Sequence, residues 1–283
     1  MGNRVTVPSV KESKVSLGSD PLVMVTAYDA PGASMVDEAG VDLILVGDSV
    51  AMVVLGYDDT LQVTVEDIAY HTAAVNRANP SALVVADLPW MSYHISISET
   101  VRNASTLIRS GAQAVKLEGG RRRIPMVEAL VSAEIPVMGH IGLTPQSVNT
   151  MGGFRIQGRD VKAANDLVAA AKALVHAGCF SIVLECVPSV VASMVTDSVD
   201  VPTIGIGAGS GCDGQVLVFH DLLGIEKRTT PKFVRRYADL HTEGVKALKR
   251  FSSDVRNKKF PSTEESYSLS PTVAETLGFK KGA

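Results

Sequence analysis

Six short apolar runs in this chain end on a polar or ionisable residue, and that repetition limits the folds open to it. They are Val23-Met24-Val25-Thr26-Ala27-Tyr28-Asp29, Val41 through Val46 with Gly47-Asp48-Ser49, Leu83-Val84-Val85-Ala86-Asp87, Ala114-Val115-Lys116-Leu117-Glu118, Pro136-Val137-Met138-Gly139-His140 and Ser181-Ile182-Val183-Leu184-Glu185. Buried parallel strands are near-continuous runs of Val, Ile and Leu because helices cover their faces, and a barrel of such strands carries its active site at their C-terminal ends. The polar residue closing each run is therefore a candidate site residue.

Between these runs lie helix signals. Polar residues up to about Pro21 form a leader expected to pack across one end, with a short helix over Ser9 to Lys14. The first strand is expected to end at Asp29, followed by a helix over Pro31 to Gly40, with Pro in its first turn and Gly as the stop. Val50 to Thr64 reads as a long irregular loop, a candidate for covering a site. Thr64-Val65-Glu66-Asp67 is an N-cap followed by acidic first-turn residues and opens a helix to about Ala78. Further helices are expected over Ser98 to Ser110, Ile124 to Ser132, Asp160 to Ala177, Ser189 to Thr196 and Pro231 to Arg250. The Asp160 helix has an apolar stripe at Leu167, Ala170, Ala171, Leu174 and Val175. Leu143 to Arg159 reads as a second long loop, Val201 to Gly207 as a seventh strand and Gln215 to Phe219 as a fainter eighth. This alternation predicts a closed (β/α)8 TIM barrel rather than an open sheet, with residues 1–251 as one domain and 252–283 as a tail holding one amphipathic piece, Thr272 to Phe279.

Composition leaves small molecules as the expected target. Hydrophobic residues make up 46% of the 283 residues, enough for a large core. The net charge of -3 and the lack of a long basic block argue against nucleic acid or an anionic membrane as the partner. Three cysteines, Cys179, Cys186 and Cys212, without a C-x-x-C pair, suggest neither a disulfide framework nor a structural zinc site. No apolar run reaches the length of a membrane span and no signal peptide is evident, so a cytoplasmic protein is expected.

Strand alternation puts Lys116 and Glu118 on one face. Inside a barrel such a pair needs a partner, and an internal ion pair explains it as well as a metal or an anionic substrate does. Asp48 and Asp87 close neighbouring strands, where a single Asp more often caps the next helix. With Glu118 they make three carboxylates on adjacent strands, a set that suits Mg2+, which takes one or two carboxylates and completes its shell with water and substrate oxygens. Glu185, across the barrel, has the placement of a general base, with a bond to the next helix N-terminus as the alternative. His140 either bonds substrate or supports a loop, while Tyr28, Asp29 and Ser49 are candidates either for holding a substrate carboxylate or for ordering the waters of a metal. The Gly205-to-Gly211 run lacks the Gly-Lys-Ser/Thr of a P-loop and reads first as a loop of close backbone approach.

Seven ordered motifs resemble the ketopantoate hydroxymethyltransferase family: Thr26-Ala27-Tyr28-Asp29, Val46-Gly47-Asp48-Ser49, Ala86-Asp87-Leu88-Pro89, Val115 to Gly120, Gly139 to Gln146, Leu184 to Pro188 and Thr203 to Gly209. The resemblance implies a phosphoenolpyruvate/pyruvate-type barrel that moves a one-carbon unit from 5,10-methylenetetrahydrofolate to 3-methyl-2-oxobutanoate, giving 2-dehydropantoate on the pantothenate pathway. It implies Mg2+ ligands at Asp48, Asp87 and Glu118, substrate contacts at Asp48, Ser49, Asp87 and Lys116, a catalytic base at Glu185 and a homo-oligomer, commonly a decamer. Two other readings compete. A carbon–carbon lyase or mutase of the same barrel type would share the enolate chemistry, but a Cys usual in such lyases after strand four is replaced here by Gly119-Gly120-Arg121-Arg122-Arg123. A binding barrel without turnover fits poorly with the presence of Lys116, Asp48, Asp87 and Glu185.

Overall fold

The computed structural model describes residues 4–228 and 230–278. Its strands are β1 (Leu22–Thr26), β2 (Leu43–Val46), β3 (Leu83–Asp87), β4 (Ala114–Glu118), β5 (Val137–Gly142), β6 (Ser181–Glu185), β7 (Thr203–Ile206) and β8 (Gly214–Leu217). They run parallel in sequence order, and β8 pairs with β1 to close the barrel, Leu22 lying opposite Gly214. The helices before the barrel midpoint are α1 (Val7–Lys11), α2 (Ala30–Glu38), α3 (Val50–Val53), α4 (Val65–Arg77), α5 (Ile97–Arg109) and α6 (Ile124–Ser132). Those after it are α7 (Val148–Met151), α8 (Val161–His176), α9 (Ser189–Asp197), α10 (Phe219–Leu223), α11 (Leu240–Arg256) and α12 (Pro271–Thr276).

Local chemistry explains where the main helices start. Thr64 and Asp67 form a reciprocal capping box at α4, Ser96 accepts from the Glu99 N–H at α5, and Asp160 accepts from the Ala163 N–H at α8. Along the strands one set of alternate residues packs outward against the helices. The other set fills the barrel with Leu22, Met24, Leu43, Leu45, Leu83, Val85, Ala114, Met138, Val183, Ile204 and Val216, joined by Phe180 from just before β6. The same inward parity continues to Asp87, Lys116, Glu118, His140 and Glu185, so the barrel interior turns from apolar to charged at its C-terminal end.

The leader closes the opposite end. Val10 is fully buried against the interior cluster, and Lys14 donates to Asp213 Oδ2 at 2.9 Å and to the Thr196 carbonyl at 2.7 Å. Asp213 also accepts the N–H groups of Val15 at 3.0 Å and Thr203 at 2.9 Å, which ties the leader to β7 just before β8 begins. Both charges are buried. Asp213→Ala would strand the Lys14 ammonium and is expected to destabilise the fold by about 3–5 kcal/mol in urea unfolding. Replacing both residues by apolar ones of similar volume should recover most of that loss.

Several element boundaries differ from the sequence expectation. β1 stops at Thr26, because Asp29 is exposed and caps α2 by accepting the Gly32 N–H at 2.7 Å. The two long loops contain short helices: α3 in the first, a 3-10 turn over Pro145–Ser147 and α7 in the second. α11 starts at Leu240 rather than Pro231. The preceding segment bonds back to the β8 connection instead, through Tyr237 N–H to the Leu222 carbonyl at 2.8 Å and Arg236 to the carbonyls of Glu226 and Arg228, both at 3.2 Å. β8 ends at Leu217, since Phe219 already begins α10. In the C-terminal stretch α12 covers Pro271–Thr276, and Phe279 lies outside the described residues.

Candidate active site

The barrel register brings the charged strand ends together. Asp87 pairs with Lys116 across β3 and β4, and Glu118 with His140 across β4 and β5. Lys116 Nζ lies 2.8 Å from Asp87 Oδ1 and 3.3 Å from His140 Nδ1. The imidazole then bridges two carboxylates, with Nδ1 3.4 Å from Glu118 Oε1 and Nε2 3.2 Å from Glu185 Oε2. Asp87 Oδ2 accepts the Asp48 backbone N–H at 3.0 Å. Tyr28 and Ser49 share a hydroxyl hydrogen bond of 2.8 Å beside them. Eight of the nine residues singled out in the sequence are thus gathered at one end of the barrel; the ninth, Asp29, serves as a helix cap.

The internal ion pair is realised, Lys116 with Asp87, but the helix-cap alternatives are not. The helices after β2 and β3 take no cap from Asp48 or Asp87, and α9, with Pro188 at its N-cap position, has no side-chain cap, leaving Glu185 on His140. Gly47 allows the close approach between β2 and β3: a Cβ there would sit 2.8 Å from Ser49 Oγ and 3.4 Å from Asp87 Oδ2.

Burial and mutual repulsion set the protonation preferences. Asp48 is held well above the usual carboxylate range, first by burial and then by the Asp87 and Glu118 charges. Burial also raises Asp87, although Lys116 and the Asp48 N–H pull against it. Burial works against a charged Glu118 too, but bonds to His140 and the charge of Lys116 outweigh it and lower that carboxyl. For Lys116, burial is overcome by Asp87, Glu118 and Asp48, which hold its ammonium above the usual value. Burial and Lys116 both disfavour a charged His140 ring, yet Glu118 and Glu185 outweigh them and raise it to about 9.

If all three were ionised, the buried carboxylates Asp48, Asp87 and Glu118 would outnumber the two cations beside them, Lys116 and His140, and burial together with this excess of negative charge holds Asp48 toward its neutral form. A divalent cation relieves that excess, and the all-oxygen donor set suits Mg2+. Among the described residues no three His, Cys, Asp or Glu side chains already converge as a metal centre, so such an ion would take part of its shell from water and substrate.

Two further residues organise the site and were not assigned a role from the sequence. Gln146 Nε2 donates to Asp48 Oδ2 at 2.9 Å and to the Leu88 carbonyl at 3.0 Å, and its backbone N–H donates to Glu118 Oε2 at 3.1 Å. Tyr93 donates to Gln146 Oε1 at 2.7 Å and accepts the Glu118 N–H at 3.2 Å. Gln146 stands at the end of the Gly139-to-Gln146 motif, a signal that was available; nothing local marks Tyr93.

A cavity of about 990 Å³ opens over this cluster, lined by Asp48, Ser49, Asp87, Lys116, His140 and Glu185 and, further out, by loop residues. Glu185 is the most accessible of the site carboxylates, its side chain 16% exposed against 3% for Asp87 and Glu118.

Solved structures share this architecture. The chain aligns with 2,3-dimethylmalate lyase, a member of the PEP mutase/isocitrate lyase superfamily, at TM-score 0.58 and 16% identity over 98% of this chain and 95% of that one. It aligns with phosphonopyruvate hydrolase, solved with oxalate and Mg2+, at TM-score 0.59 and 11% identity over 96% and 95%. By fold the chain is a closed (β/α)8 barrel of the kind those two structures have. Sequence narrows the class further. The family model described as Ketopantoate hydroxymethyltransferase matches residues 4–263. The 3-methyl-2-oxobutanoate hydroxymethyltransferase of Carboxydothermus hydrogenoformans is 50% identical over 97% of this chain and 99% of its own length, and that of Moorella thermoacetica 54% identical over 94% and 98%. The chain belongs to the ketopantoate hydroxymethyltransferase family, enzymes of pantothenate biosynthesis that act on small molecules. No helix among the described residues is long and apolar enough to cross a membrane.

Proposed function

We propose that the enzyme transfers the one-carbon unit of 5,10-methylenetetrahydrofolate to C3 of 3-methyl-2-oxobutanoate through an enolate, giving 2-dehydropantoate. The observation that carries this reading is Glu185, a partly accessible carboxylate held 3.2 Å from His140 in the wall of a cavity that the buried Lys116, Asp48, Asp87 and Glu118 also line. Asp48, Asp87 and Glu118 would hold Mg2+, which when bound supplies Lewis-acid polarisation of the keto and carboxylate oxygens.

The remaining work belongs to side chains. Ser49, oriented by Tyr28, offers a hydroxyl to the substrate carboxylate. Lys116 places its ammonium beside the oxygen on which negative charge develops, an effect worth about 3 kcal/mol for one well-placed donor. Glu185 accepts the C3 proton, and His140 fixes that carboxylate relative to Lys116. The reaction consumes one water. The C3–H bond and the two C–N bonds of the transferred carbon break, a C–C and a C–OH bond form, and tetrahydrofolate leaves with the two protons released from C3 and water.

Product formation that needs both the folate and a divalent cation tests the proposal, and chelation by EDTA should abolish it. Folate-independent cleavage of a 2-oxo acid would instead identify a lyase. A homo-oligomer also belongs to this reading: along α11 Val245, Leu248, Phe251 and Val255 recur every three or four residues and all are exposed, a stripe suited to burial against another copy. Light scattering should give a mass several times that of the chain; a monomer would rule this out.

A further inference from the structure

The active-site cavity is far larger than a small branched 2-oxo acid requires. At about 990 Å³ it reaches the upper end of the roughly 300–1,000 Å³ typical of pockets for drug-sized ligands. Its outer wall has a composition unlike the floor. The segment Phe154-Arg155-Ile156, after α7, and the segment Pro231-Lys232-Phe233, after α10, both line it. Phe154 and Ile156 are more than half exposed, at 54% and 57%. Phe233 is built into the wall: a Cβ on Gly207, where φ is +62°, would lie 2.7 Å from its ring, so the glycine lets the ring lie directly against the β7 connection. The cations of this wall also stand apart. Arg228 is committed to Glu226 at 3.0 Å and Asp221 at 3.9 Å, whereas among the described residues Arg155 and Lys232 form no ion pair.

We propose that this wall is the donor subsite, in which Phe154, Ile156 and Phe233 cover the flat aromatic part of the folate while Arg155 and Lys232 take the carboxylates of its glutamate. The inference rests on the folate reading above and adds to it the residues that hold the donor. Aromatic faces and aliphatic side chains pack a fused ring system, and unpaired cations at the mouth bind carboxylates that remain in water. The arrangement puts the methylene-bearing end of the donor toward Glu185 and Lys116, where the enolate forms, and the anionic end outward. A second cavity, about 370 Å³, lies beside Glu118 and is lined by Arg121, Arg122 and Arg123. It is cationic too, but its volume is near the lower end of the drug-sized range and its aromatic rings are already engaged, Tyr93 by the Arg123 guanidinium at 5.3 Å and His94 by the Tyr93 ring at 4.3 Å.

Steady-state kinetics with both substrates varied test the assignment. Arg155→Ala combined with Lys232→Ala should raise the KM for 5,10-methylenetetrahydrofolate by about tenfold, as two exposed ion pairs allow, and move the 2-oxo acid KM much less. The wild-type donor KM should rise with ionic strength, and in the double variant that salt dependence should flatten, which a merely structural defect would not produce. The Arg155→Lys, Lys232→Arg exchange should restore the donor KM. Arg122→Ala serves as the comparison from the smaller cavity. A double variant with an unchanged donor KM, or a larger effect in Arg122→Ala, overturns the subsite while leaving the transferase reading intact. A wild-type enzyme that enolises the 2-oxo acid yet gives no folate-dependent product overturns the donor reading and the subsite with it.

Discussion

Glu185→Gln is expected to lower kcat by about 10²–10⁴-fold, the usual contribution of a positioned general base. Glutamine keeps the size and planarity of the side chain and removes the proton acceptor. Because Glu185 is not part of the buried Asp48, Asp87 and Glu118 set, metal-dependent binding of the 2-oxo acid should persist, measurable by calorimetry. Loss of His140's second carboxylate neighbour, now 3.2 Å away, should weaken the preference of the ring for its charged form. If the variant still exchanges the C3 proton of 3-methyl-2-oxobutanoate with solvent at the wild-type rate, the base is another group.

Lys116→Met should damage both stability and catalysis. The ammonium is buried 2.8 Å from Asp87 Oδ1, and its removal leaves three buried carboxylates without their principal counter-charge. Breaking one side of a buried ion pair costs about 3–5 kcal/mol, well above the effect of an exposed pair. The same substitution removes positive charge from beside the developing oxyanion, for which a loss of about 10²–10³ in kcat is expected. On the proposed metal site, added Mg2+ should raise the melting temperature of the variant more than that of the wild type, since a cation held by the three carboxylates would supply the missing charge in the folded state. A variant as stable as wild type without metal would mean that the carboxylates are not repelling one another in the way their burial demands.

The parts of the fold that were legible in the sequence are those fixed locally. β4 and α6 fall at the expected residues because an apolar run ending in Glu118 and a helix with Pro in its first turn declare themselves within a few positions. α4 was equally legible, since Thr64 and Asp67 carry the cap in their own spacing. The parts set by distant partners were not. β8 is only four residues long, and its place is fixed by Asp213, whose partners Lys14 and Thr203 come from the leader and β7. The start of α11 depends on Arg236 and Tyr237 bonding to the carbonyls of Glu226, Arg228 and Leu222.

The candidate site follows the same division. Asp87, Lys116, Glu118, His140 and Glu185 could be read because strand parity places each at an inward C-terminal position. Asp29 misled for a related reason: the strand that carries it ends three residues earlier, and its carboxylate turns to the helix that follows. Tyr93 had no such signal, as its contacts with Glu118 and Gln146 cross from the β3 connection to the end of β4 and to the turn after β5.

The central claim is that this barrel makes an enolate from its 2-oxo acid before any carbon is transferred. Proton NMR of 3-methyl-2-oxobutanoate in D₂O with the wild-type enzyme and Mg2+, without folate and then with tetrahydrofolate, tests it most directly. The account predicts that the C3 proton signal disappears in a reaction that needs both enzyme and metal and stops on adding EDTA. A C3 signal that persists with enzyme, Mg2+ and tetrahydrofolate together would contradict it.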